Sequence, residues 1–293
     1  MRYLVGLIGS GITESLTPPM HEAEASALAL DYEYRILDLA RLGRAPDDVG
    51  SLLIQARQEG FSAMNITHPC KQRVVDVVDE LEEDADHLRA ANLVVFVGSR
   101  TVAFNTDWMG YRDALIVGLP GASFDRVVQV GCGGAGAATA YALLSHGTAT
   151  LELCDVDEAR REDLAARMRT RFPTQVVRTW PPGEISAAIA RASGVVHATP
   201  TGMRHHPGVA FDVGLLQPHA WVSDVVYRPL QTELLRQAAE RGHRVLDGGL
   251  MAVGQAYASL RIITGAQPDR GRMERHFRTL TSAEDRARGR RRS

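Results

Sequence analysis

Asn65-Ile66-Thr67-His68-Pro69-Cys70-Lys71 puts an amide, a hydroxyl, an imidazole, a thiol and an amine into one short stretch. It follows the apolar run 60–64 and precedes the amphipathic stretch 72–78. Pro69 biases its predecessor away from helix and suits a helix start. The pattern predicts a strand feeding a polar turn, with Lys71 at or near the opening of a helix. A helix dipole disfavours a cation at that end. The lysine then either serves something other than the helix or is a solvated loop residue.

A dinucleotide loop is the second chemical feature. Gly131-x-Gly133-x-x-Gly136 lies between the β-branched run 126–130 and the Ala-rich stretch 137–145. In that setting the first glycine permits a tight turn and the second lets the backbone approach a pyrophosphate. The third allows close helix–strand packing, with the phosphates at the helix N-terminus. Asp155 closes the next strand, about 20 residues on, where an acid accepts hydrogen bonds from a ribose hydroxyl pair. Its charge would repel a 2′-phosphate, so NAD is expected over NADP. Arg160 is the nearby cation and is assigned to packing on the adenine side.

Two smaller clusters are ambiguous by themselves. Ser15-x-Thr17 places two hydroxyls on one side of an extended segment, where they would hold a carboxylate or a polyol. They equally suit a cap for a helix opening at Pro18 or Pro19. Asn105-Thr106-Asp107 follows the strand-like run 101–104 at an expected domain boundary, a common place for ligand clefts. A carboxylate there would hold the Lys71 ammonium, yet all three residue types also cap turns and helices. His197, His205 and His206 lack a ligand set of matching spacing, so no metal is expected.

Composition narrows the class. The 293 residues are 45% hydrophobic and 23% charged, ordinary for a globular protein. A formal net charge of -2 offers no global field for nucleic acid or an anionic membrane. No apolar run approaches the roughly 20 residues of a membrane span. The three cysteines, Cys70, Cys132 and Cys154, form no CxxC pair. Neither a zinc knuckle nor a disulfide framework is indicated, and a reduced, cytoplasmic setting is expected.

These residues need elements to position them. Strand-like runs at 4–8, 32–37, 61–66, 126–130, 150–154, 194–198, 221–226 and 244–246 alternate with helical ones. The helical stretches are 19–30, 47–58, 137–145, 158–171, 184–192, 232–240 and 254–264. Alternation of this kind predicts an α/β protein with mostly parallel sheets. Two domains are expected: residues 1–107, to which 245–280 return, and a Rossmann-type dinucleotide-binding domain at 108–244. Residues 281–293 are expected to form a basic, disordered tail.

In their order along the chain these segments resemble the shikimate/quinate dehydrogenase family, and the similarity spans almost the whole sequence. Asn65-x-Thr67-x-Pro69-x-Lys71 and Asn105-Thr106-Asp107-x-x-Gly110 match its two signatures. Ser15 with Thr17, the Gly131 loop, 224–227 with Pro229 and Thr232, and 248–251 with Gln255 follow in the family's order. The carboxylate at Asp155 is similar to the actinobacterial NAD-dependent quinate/shikimate branch. The resemblance implies Lys71 as general acid/base with Asp107 beside it. It implies substrate contacts from Ser15, Thr17, Thr67, Asn92, Tyr227 and Gln255. Cofactor contacts would come from Gly131, Gly133, Gly134, Ala135, Gly136, Asp155, Arg160, Thr199, Val225, Gly248 and Met251. The substrate would be a cyclitol carboxylate whose C3 hydroxyl is oxidised, quinate and shikimate leading, and a homodimer is compatible with the family.

Two positions depart from the family pattern. Thr17 stands where the family often has serine, which goes with quinate use. Asn92-Leu93 stands where it usually has Asn-Thr, so one hydroxyl near the ring is missing. An amino analogue of quinate or shikimate therefore stays open as substrate, as does a biosynthetic shikimate dehydrogenase. A non-catalytic NAD-binding regulator is the rival from another class, and a dehydrogenase of a different small molecule is a third reading.

Overall fold

The computed structural model describes residues 2–292, with side chains described to residue 283. The chain divides into two compact units, Met1–Thr106 with Val253–Ser293, and Asp107–Ala252. No helix of the described residues is long and apolar enough to cross a membrane.

The first unit is built on six strands: β1 Arg2–Gly9, β2 Asp31–Asp38, β3 Ala63–Ile66, β4 Glu80–Leu81, β5 Leu93–Val97 and β6 Arg100–Phe104. Their order is β2-β1-β3-β5-β6-β4. Only β5 runs against the rest, antiparallel to both β3 and β6. Strand β1 is buried on both faces, as a central parallel strand must be. Leu4 and Ile8 join Met64, Ile66 and Val94 under the helix Val49–Gln58. Val5 and Leu7 point the other way, to Tyr34, Ala63 and Leu93, with Ile262 and Ile263 packed against them. Glu24, buried on the helix Thr17–Ala27, ties the end of the chain to this unit. Its carboxylate accepts from Arg272 Nε and Nη2 at 2.7 Å each and from the Asp269 N–H at 2.6 Å.

Three features differ from the expectations for this unit. The stretch after Lys71 is no α-helix but a turn with one 3-10 segment, Val74–Asp76. Val74 and Val75 are buried in the core, and a valine-rich stretch loses χ1 freedom in a helix. The supposed clash between Lys71 and a helix dipole therefore disappears. Strands β4 and β5 are additional to the strands read from the sequence. The helix Arg270–Arg292 runs through the start of the expected tail: Thr281 is buried and donates to the Phe277 carbonyl at 3.1 Å. The rest of that tail, from residue 284, lies outside the residues whose side chains are described.

The second unit carries β7 Arg126–Val130, β8 Thr150–Cys154, β9 Val176–Trp180, β10 Gly194–His197, β11 Trp221–Asp224 and β12 Val245–Leu246. All pair in parallel, in the order β12-β11-β10-β7-β8-β9. This is a doubly wound sheet whose order reverses between β10 and β7. The unit opens with the helix Asp107–Gly118, one residue before the expected boundary. Residues 245–252 stay with it because β12 pairs with β11, so the return to the first unit begins at Val253 rather than at 245. Strand β9 is also additional to the sequence reading. The helix expected at 184–192 shrinks to the short segments Pro182–Glu184 and Ser186–Ile189.

Candidate active site

In the first unit, three chain segments are stitched together by backbone hydrogen bonds at the carboxyl end of β1 and β3. The Thr67 N–H donates to the Ile8 carbonyl at 2.9 Å and the Ser10 N–H to the His68 carbonyl at 3.0 Å. The Ala91 N–H donates to the Lys71 carbonyl at 2.9 Å, and the Ile66 N–H to the Asn92 carbonyl at 2.8 Å. The 10–16 loop, the Asn65–Lys71 turn and Asn92 are thereby neighbours. Gly9 makes the close fit possible, since a Cβ there would meet Thr67 Cγ2 at 2.3 Å. With its methyl lodged against Gly9, the stiff Thr67 side chain has little rotamer choice.

Asp38 anchors the loop that carries Ser15 and Thr17. It accepts from the Gly11 N–H at 3.0 Å, the Ile12 N–H at 2.9 Å, the Thr13 hydroxyl at 3.2 Å and the Ala40 N–H at 3.1 Å. Burial pushes this carboxyl pKa up, but the three N–H groups and the hydroxyl together bring it below its ordinary value. The hydroxyl pair does not lie on an extended segment. Leu16 has helical dihedrals, Thr17 is the first residue of its helix, and the Thr17 N–H donates to the Ser15 hydroxyl at 3.3 Å. The two hydroxyls are presented by a helix start rather than by strand alternation.

Asn65 and Asn92 are held in a buried polar chain. The Tyr34 hydroxyl donates to Asn65 Oδ1 at 2.8 Å. Asn65 Nδ2 donates to the Asn92 carbonyl at 3.3 Å and to Ser259 Oγ at 3.2 Å. Ser259 Oγ lies 3.1 Å from Thr106 Oγ1, and Thr106 bonds to the Asn92 amide. Asp107, 6% exposed, is the next residue and opens its helix, where a carboxylate suits the dipole. Gln255 lies one turn before Ser259 on the helix Gly249–Thr264, hence on the same face. Tyr34, Asp38 and Ser259 were missed in the sequence, where nothing in their spacing marks them. His68 is exposed, and Cys70 is fully buried with its thiol 3.8 Å from the Pro46 carbonyl. Burial pushes that thiol's pKa up, so Cys70 offers no obvious nucleophile.

In the second unit the glycine loop has the shape a dinucleotide needs. Gly131 takes a φ of 108°, and a Cβ there would meet the Ala198 carbonyl oxygen at 2.5 Å and Thr199 Cγ2 at 2.8 Å. A Cβ on Gly136 would meet the Gly131 oxygen at 2.2 Å, so that glycine lets the helix Gly134–Ser145 sit against the loop. Added Cβ atoms on Gly133 and Gly134 would face open space. The loop is thus closed behind and open in front, with Ala135 in the first turn of the helix. The residues present fit a pyrophosphate. Gly248 lets Val225 approach, since a Cβ there would meet the Val225 oxygen at 2.3 Å. Met251 is buried at the start of the following helix, and Tyr227 stands exposed beyond β11.

Asp155 is locked to the loop. The Cys132 N–H donates to its Oδ2 at 2.7 Å and the Asp157 N–H to its Oδ1 at 2.9 Å. Arg160 lies between two carboxylates, with Nη1 3.8 Å from Asp155 Oδ1 and Nη2 3.2 Å from Asp157 Oδ2. Arg161, overlooked in the sequence, is a second cation here; it is buried and donates to the Asp155 carbonyl at 3.3 Å. Burial raises the Cys132 thiol to about 12 and Cys154 to about 11, so both stay protonated beside the loop.

Residues 7–94 match the shikimate dehydrogenase substrate binding domain. Over 283 residues the chain is 50% identical to shikimate dehydrogenase (NADP(+)) of Pseudarthrobacter chlorophenolicus, covering 97% of each chain. It is 45% identical over 278 residues to quinate/shikimate dehydrogenase (NAD(+)) of Corynebacterium efficiens, covering 94% of this chain and 98% of the relative. Among solved structures, quinate dehydrogenase from Corynebacterium glutamicum in complex with NAD superposes with a TM-score of 0.90 at 43% identity. That match covers 95% of this chain and 99% of the other.

Proposed function

Because the chain belongs to the shikimate/quinate dehydrogenase family, we propose that it is an NAD-dependent quinate/shikimate dehydrogenase, reversibly oxidising the C3 hydroxyl to a ketone. The observation that carries the cofactor choice is the pairing of Arg160 with both Asp155 and Asp157. A cation engaged in this way offers little to a 2′-phosphate, while the Asp155 carboxylate suits ribose hydroxyls. The loop Gly131, Gly133, Gly134, Ala135 and Gly136 would hold the pyrophosphate. Thr199, Val225, Gly248 and Met251 would contact the rest of the dinucleotide. When bound, NAD would supply the acceptor for the hydride leaving the carbinol carbon.

The protein's own part is proton transfer and positioning. Lys71, as free amine, takes the hydroxyl proton, and as ammonium returns it in the reductive direction. Asp107 orients Lys71 and accepts from a ring hydroxyl. Ser15 and Thr17 hold the ring carboxylate, and Thr67, Asn92 and Gln255 bind the ring hydroxyls. Such a site rejects rings lacking those hydroxyls, because its buried partners would go unpaired. Thr17 favours quinate, and Thr17→Ser is expected to move the quinate-to-shikimate ratio of kcat/KM towards shikimate. Three free thiols agree with a reducing, cytoplasmic setting.

Absorbance at 340 nm with quinate and shikimate, each with NAD and NADP, tests this reading. The expected result is turnover with NAD strongly preferred. A preference for NADP with shikimate alone would instead favour the activity named for the relative at 50% identity. Dinucleotide binding without turnover on either ring would identify a regulator.

A further inference from the structure

At the carboxyl ends of β10 and β11 a histidine and an aspartate sit side by side in register, His197 opposite Asp224. Each is 1% exposed. His197 Nδ1 is 3.0 Å from Asp224 Oδ1, and Nε2 is 2.5 Å from Thr199 Oγ1. Asp224 also accepts from the Val226 N–H at 3.0 Å and from the Thr232 hydroxyl at 2.7 Å. All of these bonds suit an ionised carboxylate, so Nδ1 carries the proton that points at it. A neutral imidazole with Nδ1 protonated has Nε2 as an acceptor. In that tautomer the Thr199 hydroxyl aims its own proton at Nε2. One lone pair of that oxygen takes the Thr201 N–H at 3.2 Å.

Thr199 itself stands at the point where the strand order reverses. The Ala198 N–H bonds to the Val130 carbonyl at the end of β7, and the Thr199 methyl abuts Gly131. Ligands of doubly wound sheets bind outside the carboxyl ends of the strands at this point. With the hydroxyl's proton turned inward and one lone pair taken by the Thr201 N–H, this part-buried oxygen keeps one lone pair unused.

We infer that Asp224 and His197 form a positioning pair for the cofactor site. They hold the Thr199 hydroxyl as a hydrogen-bond acceptor towards the dinucleotide. The group it meets is a donor, either a ribose hydroxyl or the carboxamide amine. The inference rests on the dinucleotide-dehydrogenase reading and adds two buried residues that do not touch the cofactor. It also accounts for a histidine that no metal or acid–base role absorbs.

The test is binding of NADH to the full chain, followed by calorimetry without turnover. Thr199→Val and His197→Leu should each raise the dissociation constant about tenfold, the value of one hydrogen bond of ordinary strength. The double variant should bind no worse than either single one, because His197 acts through Thr199. KM for the ring substrate at saturating cofactor should move less than about twofold. His197→Asn keeps a donor for Asp224 but is too short to reach Thr199, so it should weaken binding like His197→Leu even if the latter folds poorly. The 3-acetylpyridine analogue, which lacks the amide N–H groups, separates the two donors. If the carboxamide is the partner, Thr199→Val discriminates against the analogue less than wild type does. If a ribose hydroxyl is the partner, the discrimination is unchanged. Unaltered NADH affinity in His197→Asn, or multiplicative losses in the double variant, would overturn the assignment. Failure of every protein, wild type included, to bind NADH would instead refute the underlying dinucleotide reading.

Discussion

Thr106 grips the Asn92 amide by its N–H, which donates to Asn92 Oδ1 at 2.7 Å, and by its hydroxyl, which lies 2.9 Å from Asn92 Nδ2 and 3.2 Å from Oδ1. The same hydroxyl meets Ser259, which meets Asn65, so two signature segments are joined through the helix Gly249–Thr264. Thr106→Val keeps the shape but leaves buried amide and hydroxyl groups short of a partner. Urea unfolding should show a loss of about 1–3 kcal/mol. KM for the ring substrate should rise more than kcat falls. A variant as stable as wild type would mean that the chain of bonds carries no strain-bearing role.

Lys71 is the proposed acid/base, on a turn whose carbonyl is tied to Ala91. Lys71→Ala should lower kcat by roughly 10²–10⁴, the usual share of positioned proton transfer. NADH binding, measured separately, should hardly change, because the substitution leaves the glycine loop intact. Near-normal turnover would remove Lys71 from the mechanism.

Asp155 braces the loop through Cys132 and is the residue proposed to set the cofactor charge requirement. Asp155→Ala should narrow the preference for NAD over NADP, chiefly by raising KM for NAD. Arg160 would at the same time lose one of its two carboxylate partners and become more available to a 2′-phosphate. A preference unchanged in this variant would show that selection lies elsewhere.

Asp38 gives the loop carrying Ser15 and Thr17 a pH dependence. Its folded pKa lies below the unfolded value of about 3.9. The stability it contributes is therefore complete above about pH 4 and is lost as pH falls through the lower, folded value. Asp38→Asn should be less stable than wild type at neutral pH, and the gap should close on acidification below about pH 4. Urea midpoints measured between pH 3 and pH 6 would show this. A gap that widens with acid would reverse the assignment. KM for the ring substrate should also rise in this variant, since the loop proposed to bind the ring carboxylate loses its anchor.

Much of the second unit was legible from residue order. A β-branched run, a glycine loop and an Ala-rich helix leave little choice of local structure, because each glycine answers a specific steric demand. Gly131 needs its positive φ and Gly136 cannot carry a side chain against the Gly131 carbonyl. The first unit was harder. The run at Leu93–Val97 has strand composition, yet its antiparallel placement between β3 and β6 depends on partners far away in sequence. The stretch after Lys71 looked helical by pattern, but burial of Val74 and Val75 in the core overrode that pattern.

The sequence alone determined the chemistry on offer: a lysine turn, a hydroxyl pair, a polar cluster ending in Asp107 and a dinucleotide loop with its acid. Those signals are local, since they depend on residue type and short spacing. Only the tertiary structure decided what holds them. Tyr34 and Ser259 reach Asn65 across the fold, Asp38 braces a loop from the neighbouring strand, and Asp224 and His197 line up behind Thr199. Such partners meet because parallel strands bring their carboxyl ends together, and hydrogen-bond direction is settled there by geometry that no linear spacing records.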